Sequence, residues 1–297
     1  MKEIYFAGGC FWGVEHFFKG VDGVRAATPG YANGNTVNPS YKEVYTDATG
    51  FAETVRVVYD PSKVSLALLT KFFFAIIDPL SLNRQGHDEG TRYRTGVYYT
   101  ADEDKEVIEK EFEAISLKLG RRPVTELLAL TNFYPAEDYH ADYLDKNPSG
   151  YCHLPLKAFS YLRLYQDIKL FLGDEPDVTA RMANTAALIH GRMGFFWTGF
   201  YLVKGKELVL GPFQGPEACF RIGYGKGVCG TAWAQDKTLV VPDVEKFPGH
   251  IACSSLSRSE IVVPLPGGEG VLDIDSDSVG TFDTTDAAWL ELIVNLI

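Results

Sequence analysis

No stretch of the 297-residue chain is apolar for long enough to cross a membrane as a helix. The longest clean run, residues 72–77, falls well short of the roughly 18 that a spanning helix needs. Positive charge is scarce as well. Lys and Arg number 28 against 39 Asp and Glu, a net charge of −11, and the densest cationic cluster is confined to residues 118–122. Nucleic acid and anionic membrane are therefore not expected as partners. Low-complexity runs are missing, which argues against a disordered chain. Cysteine is sparse, at five residues, with no CxxC pair and no Cys/His group at zinc spacing. A disulfide framework is therefore not expected, nor is a bound metal. Only residues 4–9 separate Glu3 from Cys10, fewer than the roughly 7–15 apolar residues of a secretory leader, so a cytoplasmic location is expected.

What is present is ordinary globular material, 46% hydrophobic and 23% charged, in a length that suits two domains at roughly 150 residues each. The pattern predicts a strand over 4–7, a Gly8-Gly9 turn and a helix over 10–18. A β-branched run predicts a strand over 52–59, broken by Asp60-Pro61. A helix over 65–77, ended by Asp78-Pro79, and a strand over 95–99 follow. Thr100 is expected to cap a helix over 101–119, which Gly120 closes. A turn-rich segment at 147–152 then marks a boundary, giving domains 1–156 and 157–297. In the second, helices are expected over 161–172, 178–193 and 285–297. Between them lie expected strands at 198–203, 207–210, 238–241, 260–264 and 270–274. The expected fold class is α+β in both domains, without an internal repeat.

Cys10 stands where a glycine turn enters a helix, so free backbone N–H groups and the helix dipole are expected to lower its pKa and make it a nucleophile. Phe11 and Trp12 supply an aromatic wall beside it. A buried core thiol is the plain alternative.

The string GCFWGVE resembles the signature of peptide methionine-S-sulfoxide reductases. The resemblance continues through PSYKEVYTDATGFAETVRVVYDP, NRQGHDEGTRYRTGVYY and AEDYHADYLDKNPSGYCH, in that order, over residues 1–156. It implies a split-βαβ, ferredoxin-like sandwich with Cys10 as nucleophile and Cys152 as resolving cysteine. Phe11 and Trp12 are implied to hold the substrate S-methyl group. Glu53 is implied to protonate the sulfoxide oxygen, held meanwhile by Tyr41, Asp88 and Tyr93. Thiolate attack on a sulfoxide needs an acid at the oxygen, and a carboxyl among aromatic rings is protonated near neutrality. Taken singly, Tyr41 and Tyr93 read as core tyrosines and Asp88 as a turn former. Phe51 departs from the histidine usual in that family.

In the second half, Cys219, Cys229 and Cys253 lie in GPEACFRI, GKGVCGTA and GHIACSS. Together with WTGFYL, FPGHIACSSLSRSEIVVPL and GVLDIDSDSVGTFD, these resemble the free methionine-R-sulfoxide reductases, which have a GAF fold: an antiparallel sheet with flanking helices. The resemblance implies Cys253 as nucleophile and either Cys219 or Cys229 as its resolving partner. It places Glu260, Asp273 and Asp275 at the ammonium of free methionine sulfoxide, and Trp197 and Tyr201 around the sulfur. Ser254 departs from the acidic residue usual after the nucleophile, and the hairpin at 264–269 is short, a change that should leave its strands in place.

Together the two resemblances imply a bifunctional methionine sulfoxide reductase. Its substrates would be oxidised proteins and free methionine sulfoxide, with no bound cofactor or metal. A thioredoxin-type dithiol, or dithiothreitol in vitro, would be the reductant. The alternatives are an active first domain joined to a non-catalytic GAF sensor, and a redox scaffold whose thiols respond to oxidants.

Overall fold

The computed structural model describes residues 1–251 and 254–297. The expected nucleophile Cys253 lies outside the described residues. The chain divides into two compact units, Met1–Phe159 and Ser160–Ile297.

The first unit begins β1 (Lys2–Gly8), α1 (Phe11–Lys19), β2 (Val24–Ala32), β3 (Ala52–Tyr59), α2 (Leu66–Ile76) and β4 (Thr95–Tyr99). It continues with α3 (Asp102–Leu119), β5 (Glu126–Ala129) and β6 (Phe133–Pro135). The sheet order is β5-β4-β1-β3-β2-β6, antiparallel except for β4 against β5. Each βαβ half thus admits a strand of the other between its own two, which is the split-βαβ arrangement. Phe6 stacks between Phe18 of α1 and Phe73 of α2, joining both helices to the sheet. The cap expected from Thr100 is not made. Ala101 occupies that position without a side-chain bond, and Asp102, Glu103 and Asp104 supply the negative charge that the first turn favours. Gly120 closes α3 in the left-handed conformation, as expected.

Helix α4 (Leu156–Leu172) leads to the second unit, with α5 (Val178–Met193), β7 (Trp197–Lys204), β8 (Glu207–Gln214) and β9 (Arg221–Gly223). Then come α6 (Gly227–Gln235), β10 (Leu239–Val241), β11 (Ser259–Pro264), β12 (Gly270–Ser276) and α7 (Thr284–Val294). The sheet runs β9-β8-β7-β12-β11-β10 and is antiparallel throughout. The short hairpin leaves β11 and β12 paired up to Pro264 opposite Val271. Among the described residues, no helix is long and apolar enough to cross a membrane.

Candidate active sites

In the first unit the Gly8-Gly9 turn delivers Cys10 to the N-terminal end of α1. Gly9 has φ +83°, and a Cβ there would lie 2.6 Å from Cβ of Gln85, so this turn requires glycine. Cys10 is 6% exposed. Beside it, Glu53 on β3 is 1% exposed and accepts a hydrogen bond from the backbone N–H of Phe11 at 3.0 Å. Burial lifts the Glu53 carboxyl from an ordinary 4.5 to about 8, although the Phe11 N–H and the Arg92 guanidinium oppose the rise. An acid that keeps its proton at neutral pH is thereby placed next to a thiol.

The lowered thiol pKa expected for Cys10 is not found. Burial raises it well above 9.0, the Glu53 and Asp88 charges add to the rise, and the Trp12 backbone N–H opposes it only in part. The helix terminus is outweighed because the same turn that aims the sulfur at it also removes the sulfur from water.

Aromatic rings close the pocket around a residue that sequence reasoning missed. His140 lies 5.0 Å from Phe11, 4.6 Å from Tyr41 and 5.7 Å from Trp12, centroid to centroid. Its Nδ1 accepts the Trp12 indole N–H at 3.1 Å, and burial holds the imidazole below its ordinary pKa, hence neutral. The Trp12 ring stacks on Tyr143 at 3.7 Å. Glu137, also missed, accepts the Tyr31 hydroxyl and the Tyr41 backbone N–H, each at 2.8 Å. Only the string AEDYHADY hinted at these positions.

Burial and the nearby Glu53 charge raise both Tyr41, to about 12, and Tyr93, so their hydroxyls stay protonated and able to donate. Asp88 accepts the Tyr151 hydroxyl at 3.0 Å, tying down the segment that carries Cys152. The Cys152 sulfur packs against Gly13 of α1, 3.1 Å from where a Cβ would stand. Next to it, His153 donates Nε2–H to the Gly8 carbonyl at 2.8 Å. The structure therefore gathers Cys10, Phe11, Trp12, Tyr41, Glu53, Asp88, Tyr93 and Cys152 at one end of α1. Phe51 is a core residue, 1% exposed, with its ring edge-on to Tyr134.

The second unit builds its pocket from strand register. Glu260 on β11 is opposite Asp275 on β12, and Asp275 is opposite Trp197 on β7. Asp273, two residues along β12 from Asp275, and Tyr201, four along β7 from Trp197, project from the same face. Gly199 leaves room for the Trp197 ring, since a Cβ there would come within 2.4 Å of it. Trp197 donates its indole N–H to the Pro216 carbonyl at 3.1 Å, and Tyr201 its hydroxyl to the Cys219 carbonyl at 3.0 Å. Both side chains expected at the pocket thus also hold the loop that bears Cys219.

Cys229 enters from α6, which packs on β11 and β12, and its thiol donates to Glu260 at 3.7 Å. Burial raises Glu260 and Asp273 well above ordinary carboxylate values and carries Asp275 to about 6; the neighbouring carboxyl charges add to the rise in Glu260 and Asp273. Cys219 is disulfide-bonded, whereas Cys229 is a free thiol. Glu217 and His250 also line this pocket and were not anticipated. Of the departures noted in the sequence, Ser254 lies on its wall.

The family model for peptide methionine sulfoxide reductase matches residues 2–168. The chain is 53% identical over 155 residues to peptide methionine sulfoxide reductase MsrA of Clostridium acetobutylicum, which spans 52% of this chain and 96% of that relative. Its counterpart from Lachnoclostridium phytofermentans is 48% identical over 158 residues, covering 53% of this chain and 95% of the relative. The crystal structure of free methionine-R-sulfoxide reductase from Neisseria meningitidis in complex with its substrate is 53% identical in sequence. That match covers 46% of this chain and 84% of the other, with a TM-score of 0.45.

Proposed function

The chain belongs to the peptide methionine sulfoxide reductase family, and from that premise we propose that its two units reduce opposite epimers of methionine sulfoxide. In the first, Cys10 attacks the sulfur of an S-sulfoxide while Glu53 gives its proton to the oxygen. The sulfide leaves and the oxygen remains on Cys10 as a sulfenic acid. Cys152 then attacks the Cys10 sulfur, expelling water and forming a disulfide, which a thioredoxin-type dithiol returns to two thiols by supplying two electrons. One sulfoxide and two thiols thus yield one sulfide, one disulfide and water, with no bound cofactor or metal required. The observation that carries this reading is the Glu53 carboxyl, protonated at neutral pH and bonded to the N–H of the residue after Cys10.

The second unit reduces the R epimer of the free amino acid. Glu260, Asp273 and Asp275 supply negative charge for a free ammonium, which a residue inside a peptide does not possess. Cys253 is the nucleophile by resemblance. Cys219 is the better supported of the two resolving partners, because Cys229 is occupied by the acidic cluster. A sulfoxide sulfur is a stereocentre, so a pocket that aligns one hand misaligns the other.

The test is turnover of separated S and R epimers, free and peptide-bound, with dithiothreitol. Reduction of both free epimers but only the S form in peptides is expected. In Cys10→Ser the S activity disappears and the R activity remains. Turnover of S alone by the unaltered chain refutes the reading for the second unit and favours a sensor.

A further inference from the structure

We propose that Cys229, Glu260 and Asp273 form a binding site for a thiophilic divalent cation, with Zn2+ as the fitting ion. Sequence spacing gave no hint of it, because the three residues come from α6, β11 and β12 and are joined only by the fold. Their ligand atoms lie within 4.8 Å of one another, and all three residues are buried. Tetrahedral zinc holds sulfur and oxygen donors about 3.3–3.8 Å apart. The Cys229 sulfur and the Glu260 oxygen, at 3.7 Å, already have that separation.

A second observation points to an occupant. Oδ1 of Asp273, in a side chain only 6% exposed, is buried without a hydrogen-bond partner. An orphaned carboxylate oxygen is costly unless something binds it. No Lys or Arg is among the described residues lining the pocket, so none of these supplies a cation to the cluster. His250 lines the same pocket with Nδ1 unpartnered, outside the group of three ligands. A thiolate among the ligands favours zinc over magnesium or calcium, which take oxygen alone. Because Glu260 and Asp273 are shared, a bound cation excludes an ammonium from the same oxygens.

The test reads metal binding, not turnover, so it stands or falls separately from the activity proposed above. The full chain carrying Cys10→Ser and Cys152→Ser, reduced with a phosphine, is titrated with Co2+ as a coloured substitute for zinc. A thiolate-to-cobalt charge-transfer absorption saturating at one equivalent is expected, with Zn2+ displacing it. Adding Cys229→Ser should abolish the band. Adding Asp273→Asn should weaken binding about tenfold or more, since loss even of an outer-shell partner costs 10–100-fold. Near-UV circular dichroism checks that each variant is folded, and Asp273→Asn decides the matter if Cys229→Ser is not. Absence of the band, or a band of undiminished affinity in folded Asp273→Asn, overturns the site.

Discussion

Trp12 gives its indole N–H to Nδ1 of His140 while its ring lies flat on Tyr143, so one side chain is fixed by a directional bond at one edge and by stacking across its face. The Trp12 wall of the first pocket, proposed to face the substrate S-methyl group, is therefore held from the segment that carries His140 and Tyr143, more than 120 residues away in sequence. Removing the acceptor should loosen the wall without touching the thiol. His140→Ala is expected to raise KM for a peptide S-sulfoxide by about five- to thirtyfold, the equivalent of about 1–2 kcal/mol. R-epimer turnover should not change. Steady-state kinetics on both substrates provide the check, and an unchanged KM would show the wall to be self-supporting.

The raised Glu53 carboxyl has a catalytic and a thermodynamic signature of definite sign. The proposed mechanism consumes its proton, so single-turnover S-reduction should decline as pH rises through about 8. Glu53→Gln should slow that step by about 10²–10⁴-fold and abolish this limb.

For stability, the unfolded carboxyl ionises near 4.5 while the folded one keeps its proton to about 8. Below the lower value both states are protonated and nothing is lost. Between the two, rising pH favours the unfolded chain by up to about 1.4 kcal/mol per unit. Glu53→Gln should therefore match the parent near pH 4 and exceed it in stability at pH 8, measured by denaturant unfolding at each pH. Equal stabilities at pH 8 would show that the parent carboxyl is already ionised.

Cys152 packs on Gly13, in the first turn of the helix whose N-terminal end bears Cys10. Cys152→Ser should still release about one equivalent of sulfide in a single turnover but stall with thioredoxin as reductant. Rapid-quench product analysis distinguishes this from a loss of the first step, and undiminished steady-state turnover with thioredoxin would remove Cys152 from the cycle.

In the second pocket, N-acetylation of the substrate removes the charge that the acids are proposed to hold. It should lower R-epimer turnover about tenfold or more, since each 1.4 kcal/mol is a factor of ten and a charge-assisted bond is worth roughly 1.5–3 kcal/mol. Asp273→Ala should narrow the gap between the free and acetylated substrates. Equal reactivity of the two with the parent chain would exclude ammonium recognition.

Local pattern made some elements readable and hid others for physical reasons. Runs rich in β-branched and aromatic residues gave Ala52–Tyr59 and Thr95–Tyr99 with their observed bounds. Strand Val24–Ala32 escaped because Pro29 and Gly30 break its pattern, yet Pro29 sits inside the sheet opposite Val55. Helix Gly227–Gln235 was hidden by its own glycines. Gly230 is needed there, since a Cβ would come within 2.3 Å of the Gly223 carbonyl oxygen. Cys10, Glu53 and Cys152 could be singled out from strings that resemble a known family. His140 and Glu137 could not, because their part is created by contacts with residues more than 90 positions away. The direction of the Cys10 shift was misjudged because a helix start is a local feature, whereas burial depends on the whole fold.

The crowding of acids opposite Trp197 has a consequence for how that pocket fills. Burial raises Glu260 and Asp273 above ordinary carboxylate values and carries Asp275 to about 6, so the empty cavity holds hydrogen ions more tightly than exposed carboxyls do. An ammonium bound as proposed would take over their neutralising role and drive some of them into solvent. Occupancy by the amino acid is then an exchange of one cation for another, and the heat of binding will vary with the ionisation enthalpy of the buffer that takes up the released protons.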